Sequence, residues 1–333
     1  MDWLALTLAG QSPASTQGRT AQLSWHWRGP GLLELIPHAA CYEAWVISAG
    51  IHGDETAPIE LLAELTADWL AGRRPLACRL LLILGNPAAM AAGRRYLDLD
   101  LNRLFDGPRA SDPSGAEPLR ARQLEAAVAD FWQATEMPIR RHYDLHTAIR
   151  ASAHLRFALL PAQESGYDAA MLRWLPSAGI EALVRHSAPG RTFSHFTSAR
   201  FGAASCTLEL GKARPFGQND LSQFAQVKAA LAAGVAADTD ALADLPQTAP
   251  KGYRVSQELR KHSEAFVLHL PAAAANFTAY PQGTLLAEDG PHQYRVQAER
   301  EYLLFPNARV APGLRAGLML TEIPLSQLAD KAG

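Results

Sequence analysis

Apolar positions occur along the first two-thirds of the chain in short runs that alternate with longer stretches of helical periodicity. The short runs, which have the character of buried strands, cover residues 44–48, 80–84, 142–146, 155–160 and 206–210. Helical spacing of apolar residues covers residues 56–71, 117–135 and 219–238. Because strands that alternate with helices usually pair into parallel or mixed sheets, the pattern predicts an α/β fold, a mixed sheet flanked by helices on both faces.

The pattern changes near residue 246. Pro246, Pro250 and Gly252 interrupt the chain there, as residues of a linker would. Beyond them, turn residues separate short β-like runs at 253–255, 266–270, 284–286 and 302–305. We therefore predict a large domain over residues 1–246 and a smaller β-rich domain over residues 247–333.

Composition narrows the class of protein. Hydrophobic residues make up 48% and charged residues 19%, and the net charge of -2 gives no electrostatic reason to expect nucleic acid or an anionic membrane as partner. No stretch approaches the ~20 apolar residues of a membrane span, and Asp2 stands where a signal peptide needs positive charge. Cys41, Cys78 and Cys206 have no regular spacing, which favours buried free thiols in a reducing compartment. We predict a cytoplasmic protein and leave its oligomeric state open.

The strongest candidate for chemistry is the segment Gly50-Ile51-His52-Gly53-Asp54-Glu55, directly after the first predicted strand. A His and a Glu three residues apart can reach one point on a strand-to-helix turn, at the edge of the sheet where open α/β folds bind ligands. The two glycines permit tight backbone geometry there. His-x-x-Glu alone is weak evidence, because it also occurs by chance.

A metal site needs a further ligand, and His146 is the best candidate. It stands at the end of another predicted strand, in Asp144-Leu145-His146-Thr147. Three nitrogen and oxygen ligands with one open position are typical of catalytic zinc, and two histidines favour Zn²⁺ over Mg²⁺. Asp144 lies on the same strand face as His146, but the pattern leaves open whether it supports that ring.

Glu209 is the candidate base for a hydrolase of this kind. It lies within the apolar run Thr207-Leu208-Glu209-Leu210, where an acid is costly to bury unless it is paired or faces a functional cavity. The alternative is a glutamate on an edge strand that points to solvent.

A dense cluster of charge lies between Arg94 and Arg103. Since Arg forms bidentate pairs with carboxylates, this segment suggests recognition of an acidic substrate. The alternative is a solvated loop with internal Arg–Asp pairs.

Taken together, these segments resemble the succinylglutamate desuccinylase/aspartoacylase family, which has a zinc carboxypeptidase-like fold. The resemblance covers roughly residues 45–215 and rests on the order of five motifs: Gly50 to Glu55, Asn86-Pro87, Arg95 to Arg103 with its Asp-x-Asn-Arg ending, Asp144 to Thr147, and Leu208 to Gly211. It also implies a smaller β domain after the catalytic one.

Carried over to this chain, the resemblance implies a role for seven residues. One Zn²⁺ would be held by His52, Glu55 and His146. Glu209 would act as general base and then as general acid. Arg95 would polarise the scissile carbonyl, and Asn102 and Arg103 would grip the α-carboxylate of the amino-acid half of the substrate.

Two segments favour the succinylglutamate branch of that family, namely residues 145–150 and 209–217. The implied reaction is hydrolysis of N-succinyl-L-glutamate to succinate and L-glutamate, the last step of arginine catabolism by the succinyltransferase route. Because this substrate has three carboxylates, further cations are needed, and the sequence offers Arg94, Arg150, Arg200 and Lys212. The alternatives are an aspartoacylase-like deacylase of another N-acyl amino acid, a peptidase, and a non-catalytic zinc-containing binding module.

Overall fold

The structure, a computed structural model, describes residues 1–107, 114–134, 137–148, 150–271 and 273–329. Its helices are α1 Trp3–Leu8, α2 Thr56–Leu70, α3 Pro87–Ala91, α4 Ala116–Gln133, α5 Ala169–Ser177, α6 Phe193–Phe201, α7 Ala225–Val235, α8 Thr239–Ala243 and α9 Ser326–Ala329. Short 3-10 turns occur at Leu101–Arg103 and Leu221–Phe224. None of the helices in these ranges has the length and apolar character that a bilayer crossing requires.

The strands in chain order are β1 Gln17–Arg19, β2 Leu23–Gly29, β3 Leu32–Pro37, β4 Glu43–Ala49, β5 Arg79–Leu84, β6 Ile139–His146, β7 Phe157–Leu160, β8 Ala182–Arg185, β9 Ala204–Glu209, β10 Lys251–Arg260, β11 Val267–Leu268, β12 Ala279–Pro281, β13 Leu285–Asp289, β14 His292–Arg295, β15 Arg300–Leu304 and β16 Arg315–Ile323. Thirteen of them form one mixed sheet in the order β1-β2-β3-β5-β4-β6-β9-β7-β8-β10-β16-β15-β12. The central strands β5, β4, β6 and β9 are mutually parallel, so their carboxyl ends lie at one edge of the sheet.

The central strands are buried on both faces. Along β4, Trp45 and Ile47 belong to a core cluster with α2, α5 and α7, whereas Ala44 and Val46 belong to a cluster with α4 and α6 on the opposite face. Strands covered on both faces are expected to be continuously apolar rather than alternating, which is why short apolar runs predict them well. The expected mixed sheet with flanking helices is confirmed.

The chain beyond residue 246 is rich in β-structure, as predicted, but it does not stand apart from the main sheet. β10 pairs in parallel with β8 and antiparallel with β16, so it continues the sheet that the preceding residues build. A separate three-stranded sheet, in the order β11-β13-β14, completes this part of the chain.

Most predicted elements occur within a few residues of their expected positions. The predicted helix 117–135 is α4, and residue 135 lies outside the described residues. The predicted helix 219–238 begins as a 3-10 turn and continues as α7. Elements without a prediction include the antiparallel strands β1 to β3, and within β2 the residues Ser24, His26 and Arg28 interrupt the apolar positions.

Candidate metal centre and active site

The three predicted ligands meet at the carboxyl ends of two neighbouring parallel strands. The turn that carries His52 and Glu55 follows β4 and leads into α2, and His146 is the last residue of β6. One donor atom from each of the three lies within 4.8 Å of the others, and all three residues are buried. These residues could therefore hold a metal ion.

Two glycines allow the turn after β4 to form. Gly50 has a φ of +68°, a conformation that side chains other than glycine rarely adopt. Gly53 packs directly on α3, where an added Cβ would lie 2.3 Å from the backbone of Ala89 and Met90. The Gly53 amide also donates to the carbonyl oxygen of Arg95 at 3.0 Å. This hydrogen bond joins the turn to residues 94–103, the Arg-rich segment.

Both histidine rings are held on two sides. The Nδ1 atoms of His52 and His146 lie 2.8 and 2.9 Å from the two oxygens of Glu55. Their Nε2 atoms lie 3.0 Å from Asp100 Oδ1 and 2.9 Å from Asp144 Oδ2, respectively. A histidine with one ring nitrogen directed into a site and the other bound to a carboxylate is the usual arrangement of a metal ligand.

The carboxylates give this site a negative potential. Burial lowers the pKa of both rings, but Glu55 raises the pKa of His52, and Asp144 and then Glu55 raise the pKa of His146. The net pKa of each ring is raised. In return, burial raises the pKa of Glu55, and the two rings overcome this effect and bring it well below its usual range. The site therefore favours bound positive charge.

A chain of buried polar groups lies behind His146. Ser48 Oγ donates to Asp144 Oδ1 at 2.6 Å and lies 2.8 Å from His142 Nε2. The other ring nitrogen of His142 lies 2.8 Å from Thr197 Oγ1. The structure thus answers the open question about Asp144, which contacts the ring of His146. Sequence analysis missed Ser48 and His142, although polar residues inside an apolar strand were an available sign.

We expect Asp144→Asn to weaken metal binding about 10- to 100-fold, the usual effect of losing a carboxylate behind a histidine ligand. The amide cannot accept from the ring with the strength of a carboxylate. Competition between the protein and a chelator of known affinity measures the effect. Asp130→Asn, at an exposed position on α4, is the matched control. Equal metal affinity in Asp144→Asn and wild type would contradict the role of this contact.

Glu209 lies beside this centre at the end of β9. It is the sheet neighbour of His146, and β9 lies between β6 and β7, so the alternative of a glutamate on an edge strand is wrong. Its side chain is buried, and Oε2 has no hydrogen-bond partner within the described residues. Burial, followed by the nearby Glu55 carboxylate, raises the pKa of Glu209 to about 7. A carboxylate in this setting is suited to proton transfer near neutral pH.

The Arg-rich segment reaches the same site. Arg95 Nη1 donates to Glu55 Oε1 at 2.8 Å, and about a third of its side chain is exposed. Asn102 is buried and its Oδ1 accepts from the backbone amide of Phe193 at 2.9 Å, so its Nδ2 is the group that could donate to a ligand. Arg103 is exposed and donates to the Asn102 carbonyl oxygen.

Asp100 is a site residue that sequence analysis missed. Besides its contact with His52, its Oδ1 accepts from the backbone amide of Asn102 at 3.0 Å. Asp100 therefore joins His52 to the turn that carries Asn102 and Arg103. Its place in the Asp-x-Asn-Arg motif was the available sign.

The sequence and fold were compared with those of known proteins. The family model for the succinylglutamate desuccinylase/aspartoacylase catalytic domain matches residues 42–235, and that for the AstE/AspA barrel-sandwich hybrid domain matches residues 248–323. A curated succinylglutamate desuccinylase of Serratia proteamaculans is 55% identical over 327 residues, which cover 98% of this chain and 99% of that protein.

Solved structures of similar proteins carry the same family name. The succinylglutamate desuccinylase of Vibrio parahaemolyticus superposes with a TM-score of 0.89 at 32% identity, covering 97% of this chain and 95% of that one. The enzyme of the same name from Chromobacterium violaceum has a TM-score of 0.84 at 38% identity, covering 97% and 98%. With a catalytic-domain match over more than half of its length and a relative of this similarity over nearly all of it, the chain belongs to the succinylglutamate desuccinylase/aspartoacylase family.

Proposed function

We infer that this protein is an amide hydrolase that converts N-succinyl-L-glutamate and water to succinate and L-glutamate. The named activity of its full-length relatives supports the substrate. The observation that carries the chemistry is the buried, unpartnered carboxylate oxygen of Glu209 next to a cluster of possible metal ligands, described above. A linear amide requires both an activated water and a proton for its leaving nitrogen, and a carboxylate at this position could serve both needs.

We propose that His52, Glu55 and His146 hold one Zn²⁺ per chain. The donor set of two imidazoles and one carboxylate is one that catalytic zinc uses, and each ring is oriented by a carboxylate behind it. When bound, the ion would supply positive charge and Lewis acidity at the reacting carbonyl.

The remaining groups would divide the work of hydrolysis. Glu209 would accept a proton from water as that water attacks the amide carbon, and would then deliver the proton to the leaving nitrogen of glutamate. Arg95 would turn from Glu55 toward the carbonyl oxygen as negative charge develops there, a contribution of about 3–4 kcal/mol for a well-placed donor. Asn102 and Arg103 would hold the α-carboxylate of the glutamate half.

Release of glutamate from N-succinylglutamate by the purified protein tests this function, with acetylaspartate and acetylglutamate as competing substrates. We expect turnover of the succinyl substrate above all, its loss on treatment with a chelator, and its recovery with zinc. Metal-dependent hydrolysis of acetylaspartate alone would instead identify an aspartoacylase-like deacylase. Metal-loaded protein that binds these compounds without cleaving any would identify a binding module.

We further propose that the protein acts in the cytoplasm on this small acidic substrate, without nucleic acid or membrane as partner. Support comes from its three cysteines, all of them free thiols, which suit a reducing compartment. We also propose a domain boundary near residue 246, since the two family models end and begin at residues 235 and 248.

A further inference from the structure

The polar groups behind the candidate metal centre lie in a part of the core where such groups are costly. Ser48, His142, Asp144 and Thr197 are all fully buried. The ring of His142 makes a T-shaped contact with the ring of Phe193, and the two centroids lie 4.7 Å apart. Because polar groups lose their hydrogen bonds to water on burial, four of them are stable here only if they satisfy one another.

Counting hydrogens gives this chain of groups a direction. A carboxylate only accepts, so the single hydrogen of the Ser48 hydroxyl is donated to Asp144 Oδ1, at 2.6 Å. The Ser48 oxygen can then accept from Nε2 of His142, which lies 2.8 Å away. Burial lowers the pKa of His142 to about 4, so the ring is neutral near neutral pH and has no second hydrogen for Nδ1. Nδ1 therefore accepts from Thr197 Oγ1, at 2.8 Å.

The far end of the chain is anchored on α6, which carries Thr197. The contact of Thr197 Oγ1 with the ring of His142 is shorter than its contacts with the carbonyl oxygens of Phe193 and Ser194, at 3.3 and 3.0 Å. The hydroxyl of Ser205 on β9 lies 2.9 Å from Thr197 Oγ1 and can donate to it in turn. Every hydrogen in the chain is thus directed toward β4 and β6.

The near end of the chain fixes the carboxylate of Asp144 on two sides. Ser48 lies opposite Asp144 in the pairing of β4 with β6 and holds Oδ1. Oδ2 lies 2.9 Å from Nε2 of His146, which is two residues further along β6 and therefore on the same face of the sheet. The carboxylate cannot rotate without losing one of these contacts. The Ser48 hydroxyl thereby determines how Asp144 faces the ring.

Packing alone does not require these polar groups. Val46 lies two residues before Ser48 on the same face of β4, and it is buried in an apolar cluster with α4 and α6. An apolar residue at position 48 would extend this cluster and would need no hydrogen-bond partner. Since a buried polar network destabilises the core wherever a partner is missing, its retention beside a candidate ligand favours a role at the site.

We propose that Ser48 and His142 are positioning residues of the metal centre and act on His146 through Asp144. His142 orients the Ser48 hydroxyl, and Ser48 holds the carboxylate. The carboxylate in turn holds the ring of His146, whose other nitrogen is then directed toward Glu55. The inference rests on the proposed function only through its metal ligands, and not through the identity of the substrate.

Competition with a chelator of known affinity tests the proposal, because it measures zinc binding without any substrate. For Ser48→Ala we expect zinc affinity to fall about 10-fold, the lower end of the effect of residues that orient a ligand. The same substitution in an Asp144→Ala background should cost no more than about twofold further, since no carboxylate remains for Ser48 to orient. A residue that only supports the fold would lower the affinity equally in both backgrounds.

Thr197→Val provides a second variant of nearly unchanged size. It removes the donor at the far end of the chain, and we expect a loss of zinc affinity of about threefold, the order of one neutral hydrogen bond. This loss should also disappear in the Asp144→Ala background. If Ser48→Ala does not fold, the two Thr197→Val comparisons decide by the same criterion.

Ser177→Ala is the matched control. Ser177 is also a buried serine with a side-chain partner, Gln247 Oε1 at 3.2 Å, but it lies on α5. Its zinc affinity should equal that of wild type, even if the midpoint of unfolding falls as much as in Ser48→Ala.

Two results would overturn the proposal: unchanged zinc affinity in Ser48→Ala, or the same loss with and without the Asp144 carboxylate. Wild-type protein that binds no zinc would refute the metal site and this proposal together. Zinc binding without hydrolysis of N-succinylglutamate would refute the proposed function alone, and the comparison of zinc affinities would still decide the role of Ser48.

Discussion

Replacing Glu209 by glutamine is expected to lower kcat for N-succinylglutamate by about 10²- to 10⁴-fold, the usual contribution of a general acid–base group. The amide has nearly the same size as the carboxylate, but it cannot accept a proton from water or deliver one to the leaving nitrogen. Since both transfers belong to the transition state, KM should change little. Steady-state kinetics on metal-loaded protein measures both constants.

The kinetics of Glu209→Gln can be interpreted only if the candidate metal site of the variant is otherwise intact. Metal content of Glu209→Gln should equal that of wild type, because Glu209 is not among the three possible ligands. Glu264→Gln is the matched control, since Glu264 is largely exposed and pairs with Lys261 far along the chain in the β-rich part. Near-normal turnover by Glu209→Gln with full metal occupancy would rule out the proposed base.

His146→Ala is expected to abolish stoichiometric metal binding and to reduce activity more than about 100-fold. This loss is larger than the one expected when a residue that only orients a metal ligand is replaced. The substitution removes one of the three proposed ligands and also leaves Glu55 and Asp144 without the ring that lies between them. Elemental analysis of the protein after dialysis measures the metal, and glutamate release measures the activity.

Wild-type protein without its metal is the comparison for this variant. Wild-type protein stripped with a chelator should regain activity when zinc is returned, whereas His146→Ala should not. His292→Ala, at an exposed position on β14, should keep both metal and activity. One metal ion per chain in His146→Ala, bound as tightly as in wild type, would contradict the assignment of this ligand.

The central sheet and its candidate ligands could be predicted from sequence because both obey local rules. β4 and β5 are covered on both faces and appear as nearly uninterrupted apolar runs. β6 and β9 are buried as well, but polar residues such as His142 and Thr207 interrupt their apolar positions. The ligands follow directly where such runs end. A glycine-flanked turn after β4 and a histidine at the end of β6 were therefore sufficient to place His52, Glu55 and His146 together.

Contacts that join distant segments could not be predicted in this way. Asp100 lies in a charged loop without periodicity, and only the folded chain brings it to His52. Ser48 on β4 contacts both His142 and Asp144 on β6, and the sequence does not specify the pairing of these two strands residue by residue.

The parallel pairing of β8 with β10 also has a consequence for how the protein unfolds. Four backbone pairs, from Lys251 opposite Ala182 to Arg254 opposite Arg185, join the two parts of the chain within one sheet. Removal of the β-rich part would expose an open edge along β8, and unprotected edges of this kind promote aggregation. The two parts should therefore melt in a single cooperative transition, and a chain shortened at residue 246 should be less soluble than the whole.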